Sequence, residues 1–162
     1  MRTRLAYSFF FLVLVLGDQA AKRAVASRFE LGESLHLLGD VLRLTYVRNP
    51  GAAFSLSFGG PQIMFAVTLL VVALLIALYL KGIVRPDTTA GGIAFLLVFA
   101  GAVGNLVDRF RMGEVVDFIE MGIGRYRWPV YNCADIYITV GMVILFITFA
   151  RRPEAGDRRL EE

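Results

Sequence analysis

Four apolar stretches dominate the chain: Leu5 to Ala26, Pro61 to Leu80, Gly91 to Val107 and Tyr131 to Ala150. Each is close to the ~20 residues a helix needs to cross a hydrocarbon layer of ~30 Å. The pattern predicts four transmembrane helices, at about 5–26, 61–80, 91–110 and 131–150. Between the first two, Val41 to Arg48 alternates partially with period two, Asn49-Pro50-Gly51 carries turn chemistry, and Ala52 to Phe58 resumes an extended-looking run. These residues predict a strand pair within a β region of about 28–58. Its edges would lie against the bilayer surface or the helices, or accept an extended peptide. The stretch of about 112–130 is predicted as a loop, with Gly113, Gly122 and Gly124 as hinges of a lid. Residues 151–162 are charged, interrupted by Pro153 and Gly156, and predicted to form a flexible tail. The fold class expected is an all-α polytopic membrane protein, a single membrane domain over 1–162 with a small β element and a loop on its outer face.

Composition agrees with a lipid environment. Of 162 residues, 57% are hydrophobic, more apolar surface than a soluble domain of this size hides in one core. The net charge of +3 is too small to indicate a nucleic-acid partner, and no basic stripe with interleaved aromatics occurs. One cysteine, Cys133, excludes an intramolecular disulfide, and one histidine, His36, leaves zinc-peptidase and Ser/His or Cys/His chemistries without their residues.

Charge orients the spans. Arg2 and Arg4 precede the first, Lys81 and Arg85 sit in the second connection, and Arg151, Arg152, Arg158 and Arg159 follow the fourth, which puts both termini in the cytoplasm. The remaining basic residues fall on the opposite side, where acids match them. The first span resembles a cleavable signal peptide superficially, but Asp18, Lys22 and Arg23 lie where such a peptide carries short uncharged residues, so it is read as a retained helix.

Ionisable residues inside or beside a span are costly and start as candidates for function. Here they share one depth: Asp18 and Lys22 end the first helix, Asn105, Asp108 and Arg109 end the third, Asp117 follows it, and Asn132 and Asp135 open the fourth. Asp18 and Lys22 have the spacing of an ion pair on one helix face. Asn105, Asp108 and Arg109 fit a packing network, and the forked donors of Arg109 also suit a carboxylate. Asp117 and Asp135 differ from these, because each is an acid in an apolar local setting with no adjacent cation. Brought together, they would share a proton, and the pair could activate water and polarise a carbonyl. Taken alone, two membrane aspartates fit a proton relay or ion site equally well. The GxGD and GxSG patterns of other membrane proteases are absent: Gly122-Ile123-Gly124 is followed by Arg125.

These residues resemble the bacterial lipoprotein signal peptidases. The matching pieces are Asp18-Gln19 with Lys22, Arg48 to Ser55, Gly101 with Gly104 to Arg109, Val115 to Phe118, and Asn132 to Asp135, in family order from the first span to the fourth. The resemblance implies an intramembrane aspartyl endopeptidase that cuts prolipoproteins N-terminal to a diacylglyceryl-modified cysteine, with Asp117 and Asp135 as catalytic pair. It implies substrate-binding or supporting roles for Asp18, Lys22, Asn49, Gly101, Asn105, Asp108, Arg109, Asn132 and Ala134. It further implies no metal or organic cofactor, a location in the bacterial inner membrane with the site near the periplasmic face, contact with membrane lipid, and inhibition by globomycin-like lipopeptides. Tyr126, Trp128 and Tyr131 fit interfacial anchors and equally an ordinary aromatic belt.

Two other classes compete. A small proton-coupled transporter would use membrane acids near the bilayer midplane on broken helices, whereas Asp117 and Asp135 fall at the outer end. A non-catalytic assembly subunit accounts for the small residues of the third helix but not for two unpaired aspartates.

Overall fold

The computed structural model describes residues 2–51, 60–82 and 89–150. Four helices, α1 (Arg2–Ala26), α2 (Gly60–Leu80), α3 (Thr89–Met112) and α4 (Cys133–Ala150), carry a sheet of β1 (Ser34–Leu38), β2 (Leu42–Asn49), β3 (Val115–Ile123) and β4 (Tyr126–Arg127). Three helical segments, Leu5–Ala26, Gly60–Leu80 and Ala90–Met112, are long and apolar enough to cross a membrane, and α4 is an apolar helix of 18 residues. Connectivity gathers the sheet at one end of the bundle. β1 and β2 follow the C-terminus of α1, while β3 and β4 join the C-terminus of α3 to the N-terminus of α4.

The helices form where the apolar runs predict them, with α3 continuing to Met112. It stops there because Gly113 takes a positive φ of 75°, which glycine adopts without steric cost, and its N–H closes onto Arg109 O at 2.9 Å. Small residues on α3 set its packing. A Cβ at Gly101 would collide with the carbonyl of Ala134, so the α3–α4 approach requires glycine there.

The sheet is antiparallel in the order β1-β2-β3-β4. Two sequence expectations change here. The stretch of about 112–130 is not mainly a loop: nine of its residues form β3, and a tight turn at Gly124 (φ 57°) leads into β4. Its alternation is hidden because Val115 to Phe118 are buried on both faces of the sheet. Gly122, expected as a hinge, is a packing residue, since a Cβ would stand 2.5 Å from Tyr126 O. The expected first strand exists as β2, flanked by β1 and β3, whereas the second strand expected over Ala52 to Phe58 lies outside the described residues. The tail 151–162 and Arg85 lie outside them too.

A register shift in β2 positions the site. Leu44 pairs with Ile119, but Val47 pairs with Asp117, so one extra residue is accommodated between them. Past the shift, Asn49 opposite Val115 shares the face of Asp117; without it, period-two alternation would turn Asn49 to the other face. That other face carries Tyr46, Val116 and Phe118, which pack with Val25 of α1 as a buried cluster.

Candidate active site

Asp117 stands on β3 and is 2% exposed. Each of its oxygens accepts one amide hydrogen bond, Oδ1 from Asn132 Nδ2 at 2.6 Å and Oδ2 from Asn49 Nδ2 at 2.9 Å. Burial pushes its carboxyl up from 3.8 to about 6; the two amide donors oppose the rise and the nearby charge of Asp135 reinforces it.

Asp135 lies in the first turn of α4 and is half-buried. It forms a reciprocal cap with Asn132: the Asn132 N–H donates to Asp135 Oδ2 at 3.1 Å, and the Asp135 N–H donates to Asn132 Oδ1 at 3.0 Å. Its other oxygen, Oδ1, accepts from Asn105 Nδ2 of α3 at 2.9 Å. Asp135 thus stands at a helix N-terminus, where the backbone dipole favours negative charge. Asn132, fully buried, therefore touches both acids.

Behind the pair lies a buried ionic cluster. The three protons of the Lys22 ammonium meet Asp18 Oδ2 at 2.8 Å, Asp108 Oδ2 at 2.9 Å and Asn105 Oδ1 at 3.0 Å. Asp18 also accepts from the Ala134 N–H at 3.0 Å, which ties α1 to the start of α4. Gln19 bridges Asp108 Oδ1 at 2.9 Å and the Gly104 carbonyl at 3.2 Å. With its Oδ1 held by Lys22 and Asn132, Asn105 can turn only its Nδ2 towards Asp135.

A cavity of about 1150 Å³ opens in front of the pair. Asp117, Asp135, Asn49, Asn105 and Arg109 are its polar wall; α2, α4 and the β3–β4 hairpin provide apolar surface. Arg109 donates from Nη2 to the Gly51 carbonyl at 2.8 Å, and its Nε has no partner among the described residues. Neither Asp117 nor Asp135 forms an ion pair among the described residues. Two carboxyls on one cavity wall, neither in a salt bridge among the described residues, can hold one proton between them and act as an acid–base pair on water.

Each candidate residue from the sequence has a place in this arrangement. Asp117, Asp135, Asn49, Asn105, Asn132 and Arg109 come together around the cavity, while Asp18, Lys22 and Asp108 come together behind it. Gly101 and Ala134 are backbone packing positions between α3 and α4. Sequence reasoning misses Gln19 and Gly104 as site residues, although both stand inside matching motifs. A Cβ at Gly104 would lie 2.8 Å from Asp18 Oδ2, so this glycine makes room for a carboxylate.

Apolar helices of spanning length, with two carboxyls on a cavity wall at one end of the bundle, mark an integral membrane protein. Residues 10–151 match the family described as "Signal peptidase (SPase) II", and the chain belongs to that family. It is 42% identical to a lipoprotein signal peptidase of Syntrophus aciditrophicus over 146 residues, 87% of this chain and 89% of that one. It is 37% identical to the lipoprotein signal peptidase of Geobacillus kaustophilus over 155 residues, 94% of this chain and 99% of that one. A solved bacterial membrane enzyme structure superposes with a TM-score of 0.80 at 29% identity, covering 97% of this chain and 93% of that one.

Proposed function

We propose that this lipoprotein signal peptidase removes signal peptides from prolipoproteins by aspartyl chemistry within the membrane, with Asp117 and Asp135 as its catalytic pair. The observation that carries the reading is the shared asparagine: Asn132 touches both carboxyls on the wall of one cavity, and neither carboxyl forms a salt bridge among the described residues. Asp135, at the helix N-terminus, takes a proton from water as the oxygen attacks the scissile carbonyl carbon. Asp117, protonated through burial, gives its proton to the carbonyl oxygen, producing a gem-diol. On collapse a gem-diol proton returns to Asp117, the C–N bond breaks, and Asp135 protonates the leaving amine, so one water is consumed per peptide bond.

The supporting residues divide by contact. Asn49, Asn105 and Asn132 fix the carboxyls. Arg109, with its unpartnered Nε in the cavity wall, suits a substrate carbonyl. Asp18, Lys22 and Asp108 hold Asn105 and the start of α4 in place. Gly101 and Ala134 permit the helix contact beneath.

The membrane reading has α1 to α4 as four spans of a single membrane domain; the 18 residues of α4 extend about 27 Å, close to the hydrocarbon thickness. Basic residues at both termini favour the cytoplasmic side, which sets the sheet and cavity near the periplasmic face of the bacterial inner membrane. The scissile bond would then lie N-terminal to a diacylglyceryl-modified cysteine at headgroup depth, with its acyl chains in lipid along the apolar cavity. A globomycin-like lipopeptide would compete for the same cavity. The test is incubation of purified protein with a diacylglyceryl-modified prolipoprotein and with its unlipidated form. A new N-terminus at the modified cysteine, from the lipidated form alone, supports the reading; cleavage elsewhere or none counts against it.

A further inference from the structure

A threonine hydroxyl in an apolar helix ordinarily closes on its own backbone, because hydrocarbon offers it no other partner. Two threonines here do so. Thr68 of α2 donates to Met64 O at 2.8 Å and Thr148 of α4 to Ile144 O at 2.7 Å, each to the carbonyl four residues back. Thr139 of α4 differs: its hydroxyl makes no hydrogen bond among the described residues, and its side chain is exposed on the wall of the cavity that holds Asp117 and Asp135.

The position of this hydroxyl gives it a use. Thr139 follows Asp135 by four residues, so it stands on the same side of α4, about 6 Å further along the axis. The wall around it is apolar, with Ile136 and Val140 from α4 and Val67 and Val71 from α2. Thr68, the other threonine of that wall, has its hydroxyl spent on Met64 O. Mostly apolar pockets fix the orientation of a ligand through a few placed polar groups, and the Thr139 hydroxyl is such a group.

Its partner must arrive with the substrate. Carbonyl oxygens are strong acceptors, and one buried against an apolar wall is costly without a donor. Two residues of extended chain span about 6–7 Å, so a peptide carbonyl close to the scissile bond has the reach from Asp135 to Thr139. The ester carbonyls of a diacylglyceryl group, carried on the cysteine sulfur at the other side of the bond, supply the same chemistry.

We infer that Thr139 is a substrate-binding residue that sets specificity, its hydroxyl donating to a substrate carbonyl oxygen one helical turn along α4 from the scissile bond. The inference rests on the reading of Asp117 and Asp135 as the pair that cuts a lipidated prolipoprotein. A substrate with no carbonyl at this point leaves the hydroxyl unpaired in an apolar wall and binds more weakly.

The test uses the purified protein and a diacylglyceryl-cysteine peptide whose scissile amide is reduced to a methylene amine, so that it binds without being cut. A second peptide carries alkyl ethers in place of the two esters. Dissociation constants are measured for native protein, for Thr139→Val, which keeps the shape and removes the hydroxyl, and for Thr139→Ser, which keeps the hydroxyl. Thr139→Val should bind the ester peptide about 3- to 10-fold more weakly, the worth of one hydrogen bond, and Thr139→Ser within about twofold of native. The same loss with the ether peptide assigns the bond to a peptide carbonyl, and a loss confined to the ester peptide assigns it to the glyceryl ester. Equal binding of the ester peptide by native protein and Thr139→Val overturns the proposal. So does an equal loss in Thr139→Ser, which would mean packing rather than a hydrogen bond. Native protein that binds neither peptide overturns it together with the reading of the substrate, whereas native binding unchanged by Thr139→Val overturns this inference alone.

Discussion

Asn132 and Asp135 cap each other at the start of α4, exchanging backbone-to-side-chain hydrogen bonds of 3.1 and 3.0 Å. The same contact that begins the helix holds one acid of the pair, while the Asn132 amide reaches across to the other at 2.6 Å. Helix capping and placement of the two carboxyls are therefore one arrangement.

The two functions of Asn132 separate by substitution. Serine caps a helix well but has no amide donor for Asp117. Asn132→Ser should keep the cap, cost about 1–3 kcal/mol because the buried Asp117 Oδ1 loses its donor, and lose about 10²-fold in cleavage rate, the usual loss for one preorganised donor. Asn132→Ala should lose a similar rate and a further ~1 kcal/mol of stability. Thermal unfolding and initial rates measured on the same preparations check both, and a serine variant that cuts at the native rate contradicts the bridging role.

Burial raises Asp117 from 3.8 to about 6, so the folded protein holds this proton where the unfolded chain has released it. Stability from this group is complete below pH ~4 and is lost as pH rises through ~6, by about 3 kcal/mol in the limit. Asp117→Asn removes that dependence. The unfolding midpoints of native protein and variant should shift relative to each other between pH ~4 and ~6, in favour of the variant, and run parallel above. For the native enzyme, kcat/KM should fall as pH rises through ~6 if Asp117 is the acid that polarises the carbonyl, since it is then deprotonated. A constant difference between the two midpoints across this window would refute the assignment.

Asp18 touches Lys22 and the Ala134 N–H but neither Asp117 nor Asp135. Asp18→Ala leaves a buried N–H without an acceptor and opens a gap, at a cost of about 3 kcal/mol. The remaining folded molecules should cut at a rate within about threefold of native, since Lys22 keeps Asp108 and Asn105. Unfolding midpoints, together with rates normalised to folded protein, distinguish this positioning role from a direct one.

Two glycines should respond in opposite directions. A Cβ at Gly104 would lie 2.8 Å from Asp18 Oδ2 and 3.3 Å from Ala134 Cβ, so Gly104→Ala should cost about 1–3 kcal/mol. Gly17, in the interior of α1, has nothing within 4 Å of such a Cβ, and Gly17→Ala should stabilise by about 0.5–1 kcal/mol. Thermal unfolding of the two variants side by side reads the sign of each.

Much of this site is written locally in the sequence. An acid flanked by Val116 and Phe118, or by Ala134 and Ile136, has no neighbour in sequence to neutralise it, and local composition therefore singles out Asp117 and Asp135. The helices are legible because lipid-length apolar runs have few alternatives. The role of Asn49 is not legible in physical terms: its amide reaches Asp117 only because β2 accommodates an extra residue after Leu44, and a register shift leaves no mark in local composition. Strand β3 escapes a pattern-based reading for a related reason, since burial on both faces removes the alternation by which strands are recognised. The fan of three bonds from Lys22 joins α1 to α3 across more than 80 positions, and only the Asp18 partner lies within reach of a helix-spacing argument.

Cleavage of a diacylglyceryl-modified prolipoprotein by the purified native protein, by Asp117→Asn and by Asp135→Asn, with folding verified for each, tests the central claim most directly. Each substitution keeps the shape of the side chain and removes its proton chemistry. The catalytic pair predicts that both folded variants lose cleavage by at least about 10³-fold, the scale on which acid–base and electrostatic contributions combine. Cleavage near the native rate by either folded variant would contradict it.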